Sequence, residues 1–270
     1  MIISVINHTS GLLNDDYVQR AIRAVNRQIA EDFEPYWGMS ATLRLEGHAG
    51  PAHHAIPEPD IQHAIDMRGD AVLYLWHPTD VRGALGYHVN KFLGIPYGFV
   101  FPEISRAVAE PWTSSLSHEA LELIADPEVN RLVMGPHPAK PNTTVFHWYE
   151  VCDAVQTETY EIDGVPLSNF VLPLYFTNSE ETGSRNDFLG RAYQGRTLRS
   201  FSANPGGYVG YFDPATGQNE AFFLEGDGVG VRRMQIKQQL GLARRSRRYQ
   251  YRTMGSQSIT AAIRGYIGGG

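Results

Sequence analysis

Cysteine is almost absent. The chain of 270 residues holds one, Cys152, so no disulfide can form within it and the fold must rest on its core. Long apolar runs are missing too: none approaches the roughly 20 residues that a membrane-spanning helix needs. The opening residues, Met1-Ile2-Ile3-Ser4-Val5-Ile6, lack the basic segment and the long apolar segment of a secretory leader. These absences exclude a disulfide-stapled scaffold and a helical membrane protein. They predict a soluble, cytoplasmic chain with no membrane partner; export by a route that needs no leader stays compatible.

Acidic residues are missing from 228–270, where nine Arg or Lys fall, while the rest of the chain carries 14 basic and 29 acidic residues. In that tail Arg244, Arg245, Arg247, Arg248 and Arg252 interleave with Tyr249 and Tyr251. Such a stretch suits an acidic surface of the body, another subunit, or nucleic acid through phosphate contacts and stacking. No motif of a folded nucleic-acid module accompanies it, which places nucleic acid last of the three.

What is present points to a globular protein. Hydrophobic residues make up 42% and charged residues 19%, enough to bury a core. The β-branched run 2–6 reads as a buried strand. Asn14-Asp15-Asp16 caps a helix through about residue 32, with Val18, Ile22, Val25, Ile29 and Phe33 on one face. Residues 42–45 and 71–76 read as further strands. The loop 48–59 contains His53 and His54, a surface pair rather than a metal site, because adjacent side chains diverge. Residues 94–101 contain Pro96, and a proline confines a strand to the edge of a sheet. Near the C-terminus, Asp213-Pro214-Ala215-Thr216-Gly217 separates two aromatic runs, the pattern of a β-hairpin.

The stretch with the most chemistry is Ser117-His118-Glu119-Ala120-Leu121-Glu122, ending at Asp126-Pro127. It reads as an amphipathic helix capped by Ser114 or Ser115 and stopped by the proline. His118 and Glu122 lie four residues apart and so emerge on one face, and Glu119 projects about 100° further round. A His and a carboxylate one turn apart, with a second carboxylate beside the His, suit a hydrolytic metal site. A solvated acidic face with one partly buried His fits the same residues. Downstream, Glu150 and Asp153 lie three apart within an aromatic and apolar segment, 145–156. They share a face if it is helical, and buried carboxylates need a cation or hydrogen-bond donors.

The helix resembles the zincin metallopeptidase signature His-Glu-x-x-His, with Glu122 in place of the second His. The pieces together, Ser117-His118-Glu119, Glu122, Asp126-Pro127, Glu150 and Asp153, look like a loose set of bacterial and phage-associated metallopeptidase-like proteins. The resemblance covers roughly residues 2–176 and brings a gluzincin-like pattern, in which a Glu on a later helix completes the site. It implies an α+β fold: a twisted mixed sheet with an antiparallel edge strand over two helices, and a smaller C-terminal lobe. On that plan 1–127 is the N-terminal lobe, 128–200 the second lobe, and 201–270 a β-hairpin appendage with the basic tail.

The resemblance further implies a peptide or protein substrate and a zinc ion held by His118, Glu122 and Glu150, with Glu119 as general base. Two carboxylate ligands raise the affinity for Mn2+ or Ca2+ relative to Zn2+. Asp126 and Asp153 are alternative ligands or supports for one. Tyr149, Tyr160, His147 and Tyr97 are candidates for stabilising an oxyanion. Gly94, Tyr97, Gly98 and Phe99 would form the edge strand that pairs with an extended substrate. A zincin-like binding or structural protein, phage- or shell-associated, with a degenerate site or a structural cation, is the reading from a different class.

Overall fold

The computed structural model describes residues 1–9, 11–46, 69–76, 86–92, 95–107, 109–178 and 183–224. His53, His54, Gly94 and the basic stretch 244–252 lie outside the described residues.

Two sheets and a hairpin share the chain with a few helices, an α+β architecture. Strand β1 (Ile2–His8) leads to helix α1 (Asp15–Arg27). Asn14 caps that helix, its side chain accepting the Tyr17 N–H at 2.8 Å. A π-helical stretch, Gln28–Phe33, and the short α2, Glu34–Trp37, extend it until Gly38 turns left-handed at φ 62°. Strands β2 (Thr42–Leu45), β3 (Ala71–Trp76), β4 (Gly86–Phe92) and β5 (Ile95–Val100) complete a five-stranded sheet in the order β2-β1-β3-β5-β4. All its pairings are parallel except β4 with β5.

One expectation fails at this point. Residues 95–100 do not form the edge; β5 is paired with β3 on one side and β4 on the other. Pro96 is tolerated because the β4–β5 register slips between Val89 and Phe92, where no ladder bond is required of its nitrogen. Among the described residues, the antiparallel edge strand is β4.

After the short α3 (Pro102–Ala107) comes α4 (Trp112–Ala125), the helix of His118. It begins earlier than the serines suggest. Pro111 is its N-cap residue, and Ser114 Oγ donates to the Pro111 carbonyl at 2.7 Å instead of capping. Nor is it amphipathic: twelve of its 14 residues are buried. One side packs with α1 under the sheet, and the other meets the hairpin of β8 (Thr159–Ile162) and β9 (Val165–Ser168). Thr113 Oγ1 donates to the Pro166 carbonyl at 2.6 Å and Ser117 Oγ accepts the Ser168 N–H at 2.8 Å, tying helix to hairpin. Leu116, Leu121 and Leu123 are fully buried, each worth roughly 1.5–3 kcal/mol.

Strands β6 (Leu132–His137), β7 (Lys140–Trp148), β10 (Tyr208–Asp213) and β11 (Gln218–Phe223) form a second, antiparallel sheet in the order β11-β10-β7-β6. One apolar cluster runs from Ile3 through α1 and α4 to Phe201, so residues before and after 127 share a core. Val72, Tyr74, Trp76, Phe99 and Phe101 form a second cluster on the other face of the first sheet. Among the described residues, no helix is long and apolar enough to cross a membrane.

Candidate metal centre

His118 sits in the middle of α4 with Nε2 between two carboxylates. Glu122 Oε1 is 3.4 Å away and Asp153 Oδ1 3.3 Å away. Ligand atoms of His118, Glu119 and Glu122 lie within 4.8 Å of one another, and so do those of Glu122, Glu150 and Asp153. Glu122 belongs to both groups. All four carboxylate residues are buried, none more than 7% exposed.

Helix α4 supplies three of the five groups by its own periodicity. Of the other two, Glu150 lies on no helix, contrary to expectation, and Asp153 lies only on a short 3-10 turn. Strand β7 ends at Trp148 and the chain turns at once, the Glu150 N–H bonding the Trp148 carbonyl at 2.9 Å. Val151 is then pinned by the Val171 N–H on its carbonyl at 2.7 Å, and the Cys152 N–H reaches Glu122 Oε1 at 3.3 Å. Asp153 opens a 3-10 turn, Asp153–Val155. The loop can lie this close to β10 because residue 207 is glycine: a Cβ there would collide with the Ala154 carbonyl. The next residue, Tyr208, hydrogen-bonds the Asp153 carboxylate.

The charges act on one another. Burial, and then Glu122, push Asp153 up to about 6, against the pull of His118 and Tyr208. Burial lowers the pKa of His118, but Glu122, Asp153 and Glu119 outweigh it and hold the imidazole well above its ordinary value. Burial and the same acids push the Cys152 thiol up, so it is no nucleophile at neutral pH. Four buried carboxylates clustered beside one imidazole form a poor electrostatic arrangement by themselves. A divalent cation would resolve it, and the donor set fits one. One nitrogen and several carboxylate oxygens suit Zn2+, and the excess of oxygen also suits Mn2+ or Ca2+.

The remaining candidates lie elsewhere. Asp126 is fully buried, and its carboxylate accepts the N–H groups of Asn130 and Arg131, each at 3.1 Å; it shapes the loop after α4. The Tyr149 ring stacks on Phe176 at 4.5 Å, and burial raises its pKa. Tyr160 donates to Asp32 at 2.6 Å and accepts from Gln28 at 3.1 Å. His147 Nε2 is 2.8 Å from the Pro136 carbonyl, and its ring lies against Phe201. Tyr97 and Phe99 belong to the apolar cluster on the face of the sheet away from α4. Tyr208 and the Cys152 N–H were not foreseen. The one clue was the pair Gly206-Gly207 before Tyr208, which permits close backbone approach but also reads as an ordinary turn.

Comparison with protein families, with curated proteins and with solved structures finds no match to this chain. The fold and site describe an α+β protein with a cluster of one histidine and four buried carboxylates that could hold a cation.

Proposed function

We propose that the chain is a metal-dependent peptidase. The observation that carries the reading is His118 Nε2 set between Glu122 and Asp153, with Glu119 beside them, the three carboxylates buried and the imidazole half-buried. His118, Glu122 and Asp153 would hold the cation. Glu150, close to both Glu122 and Asp153, is the fourth carboxylate of the site. The zincin resemblance is supported by the mixed sheet with an antiparallel edge strand, β4, lying over α1 and α4. The place given to an extended substrate moves accordingly from 94–101 to β4, the last strand of the described sheet on that side.

A divalent ion held there would supply Lewis acidity for a carbonyl and for water. Glu119, adjacent to the ligands but outside the His118–Glu122–Asp153 set, takes the proton of the attacking water and hands it to the leaving amine. Elemental analysis of the purified protein, before and after soaking in zinc or manganese, tests the site. Hydrolysis of an unstructured protein, with and without chelator, tests the activity. Glu119→Gln should keep the metal and lose about 10²–10⁴-fold in rate, the usual contribution of a general base. Stoichiometric metal without hydrolysis would leave a cation-binding protein, and no metal under any condition would remove the reading.

A further inference from the structure

A second site lies on α1, on the opposite side of that helix from the core. Tyr17, Arg20 and Arg23 face the turn of the β8–β9 hairpin across a cavity of about 330 Å³, with Asp163, Gly164 and Val165 on the far wall. That volume is at the small end of ligand pockets.

Asp163, on the far wall, is paired with Arg27, whose NH1 grips both its oxygens at 2.8 and 2.7 Å. Arg27 also reaches the two oxygens of Glu31 at 3.1 and 3.0 Å. Arg20 and Arg23 form no ion pair among the described residues. Two guanidinium groups three residues apart repel each other on one helix face, and they do so here in a chain of net charge −6.

The pocket is also built. The Arg20 guanidinium lies 5.5 Å from the centre of the Tyr17 ring, and that ring meets Trp112 edge-on at 5.4 Å, which fixes the wall. Opposite, Asp163 and Gly164 both have positive φ, 51° and 72°, the conformation of a tight hairpin turn. A Cβ on Gly164 would meet nothing within 4 Å, so the rim is open there. Guanidinium groups recognise planar oxyanions through paired N–H donors.

We propose that this pocket binds a small carboxylate- or phosphate-bearing molecule between Arg20 and Arg23. The proposal is independent of the metal centre. Calorimetric titration of the full chain with benzoate, phenyl phosphate and inorganic phosphate, at fixed physiological salt, tests it and separates the two chemistries. The expected result is saturable one-to-one binding of at least one probe, weakened at least tenfold in Arg20→Ala/Arg23→Ala and unchanged in Arg44→Ala. Arg20→Lys/Arg23→Lys, which keeps charge and loses the fork, should weaken it by an intermediate factor and serves if the alanine variant folds poorly. Absence of saturable binding by all three probes, or equal binding by the double variants and the parent, would overturn it.

Discussion

Acidification should destabilise this fold through His147. Its side chain is 1% exposed. Nε2 must carry the proton, because its partner at 2.8 Å is the Pro136 carbonyl, an acceptor. Nδ1 is buried without a hydrogen bond. Burial, assisted by His137 and only partly opposed by the Pro136 bond, lowers the imidazole from 6.5 to about 4. The unfolded chain therefore takes up a proton first. The stabilisation from keeping His147 neutral is complete above pH 6.5 and is lost as the pH falls toward 4. The difference in pKa corresponds to about 3 kcal/mol in full, and about 2 kcal/mol of it is gone by pH 5.

His118 and Asp153 act in the other direction in metal-free protein, since both hold their protons more tightly when folded. The test is therefore a difference between proteins. Urea denaturation of the parent and of His147→Phe, in chelator, is followed from pH 7 to pH 4. The parent should lose about 3 kcal/mol more than the variant over that range. A stability gap that does not change with pH would refute the reasoning. At neutral pH His147 is uncharged and its one proton is engaged, so the same variant should hydrolyse peptides at the parental rate if it folds.

Two further outcomes concern the cluster itself. Tyr208→Phe removes the donor that orients Asp153 and should weaken metal binding by about 10–100-fold, the usual effect of losing a partner behind a ligand. Competition with a chromophoric chelator reads this, and unchanged affinity would show that Asp153 does not need the tyrosine. Asp126→Asn should lower stability by about 1–2 kcal/mol, because one oxygen that accepts a backbone N–H is replaced by an amide. It should leave metal affinity alone, and a large loss of metal would instead make Asp126 a ligand.

Local patterns in the sequence carried much of the fold. The Asn14 cap and the apolar face of α1, the β-branched strands, the Asp213–Gly217 turn and the stop of α4 at Asp126-Pro127 all follow from periodicities and torsional limits that act over a few residues. The same locality put His118, Glu119 and Glu122 together, since one helical turn does that unaided.

Only the tertiary structure decided the rest. The serines before His118 looked like caps and the acids like a solvated face, but α4 is enclosed between the first sheet and the β8–β9 hairpin and is buried on nearly every side. Strand order was equally invisible: Pro96 marks an edge unless a register slip accommodates it, and the slip depends on β4. Asp153 reaches His118 and Glu150 reaches Glu122 through an irregular segment, and Tyr208 reaches Asp153 from a strand more than fifty positions away. No periodicity encodes such meetings. They arise because a buried chain must satisfy its backbone groups and pack its apolar side chains at once, and that condition links segments far apart in sequence.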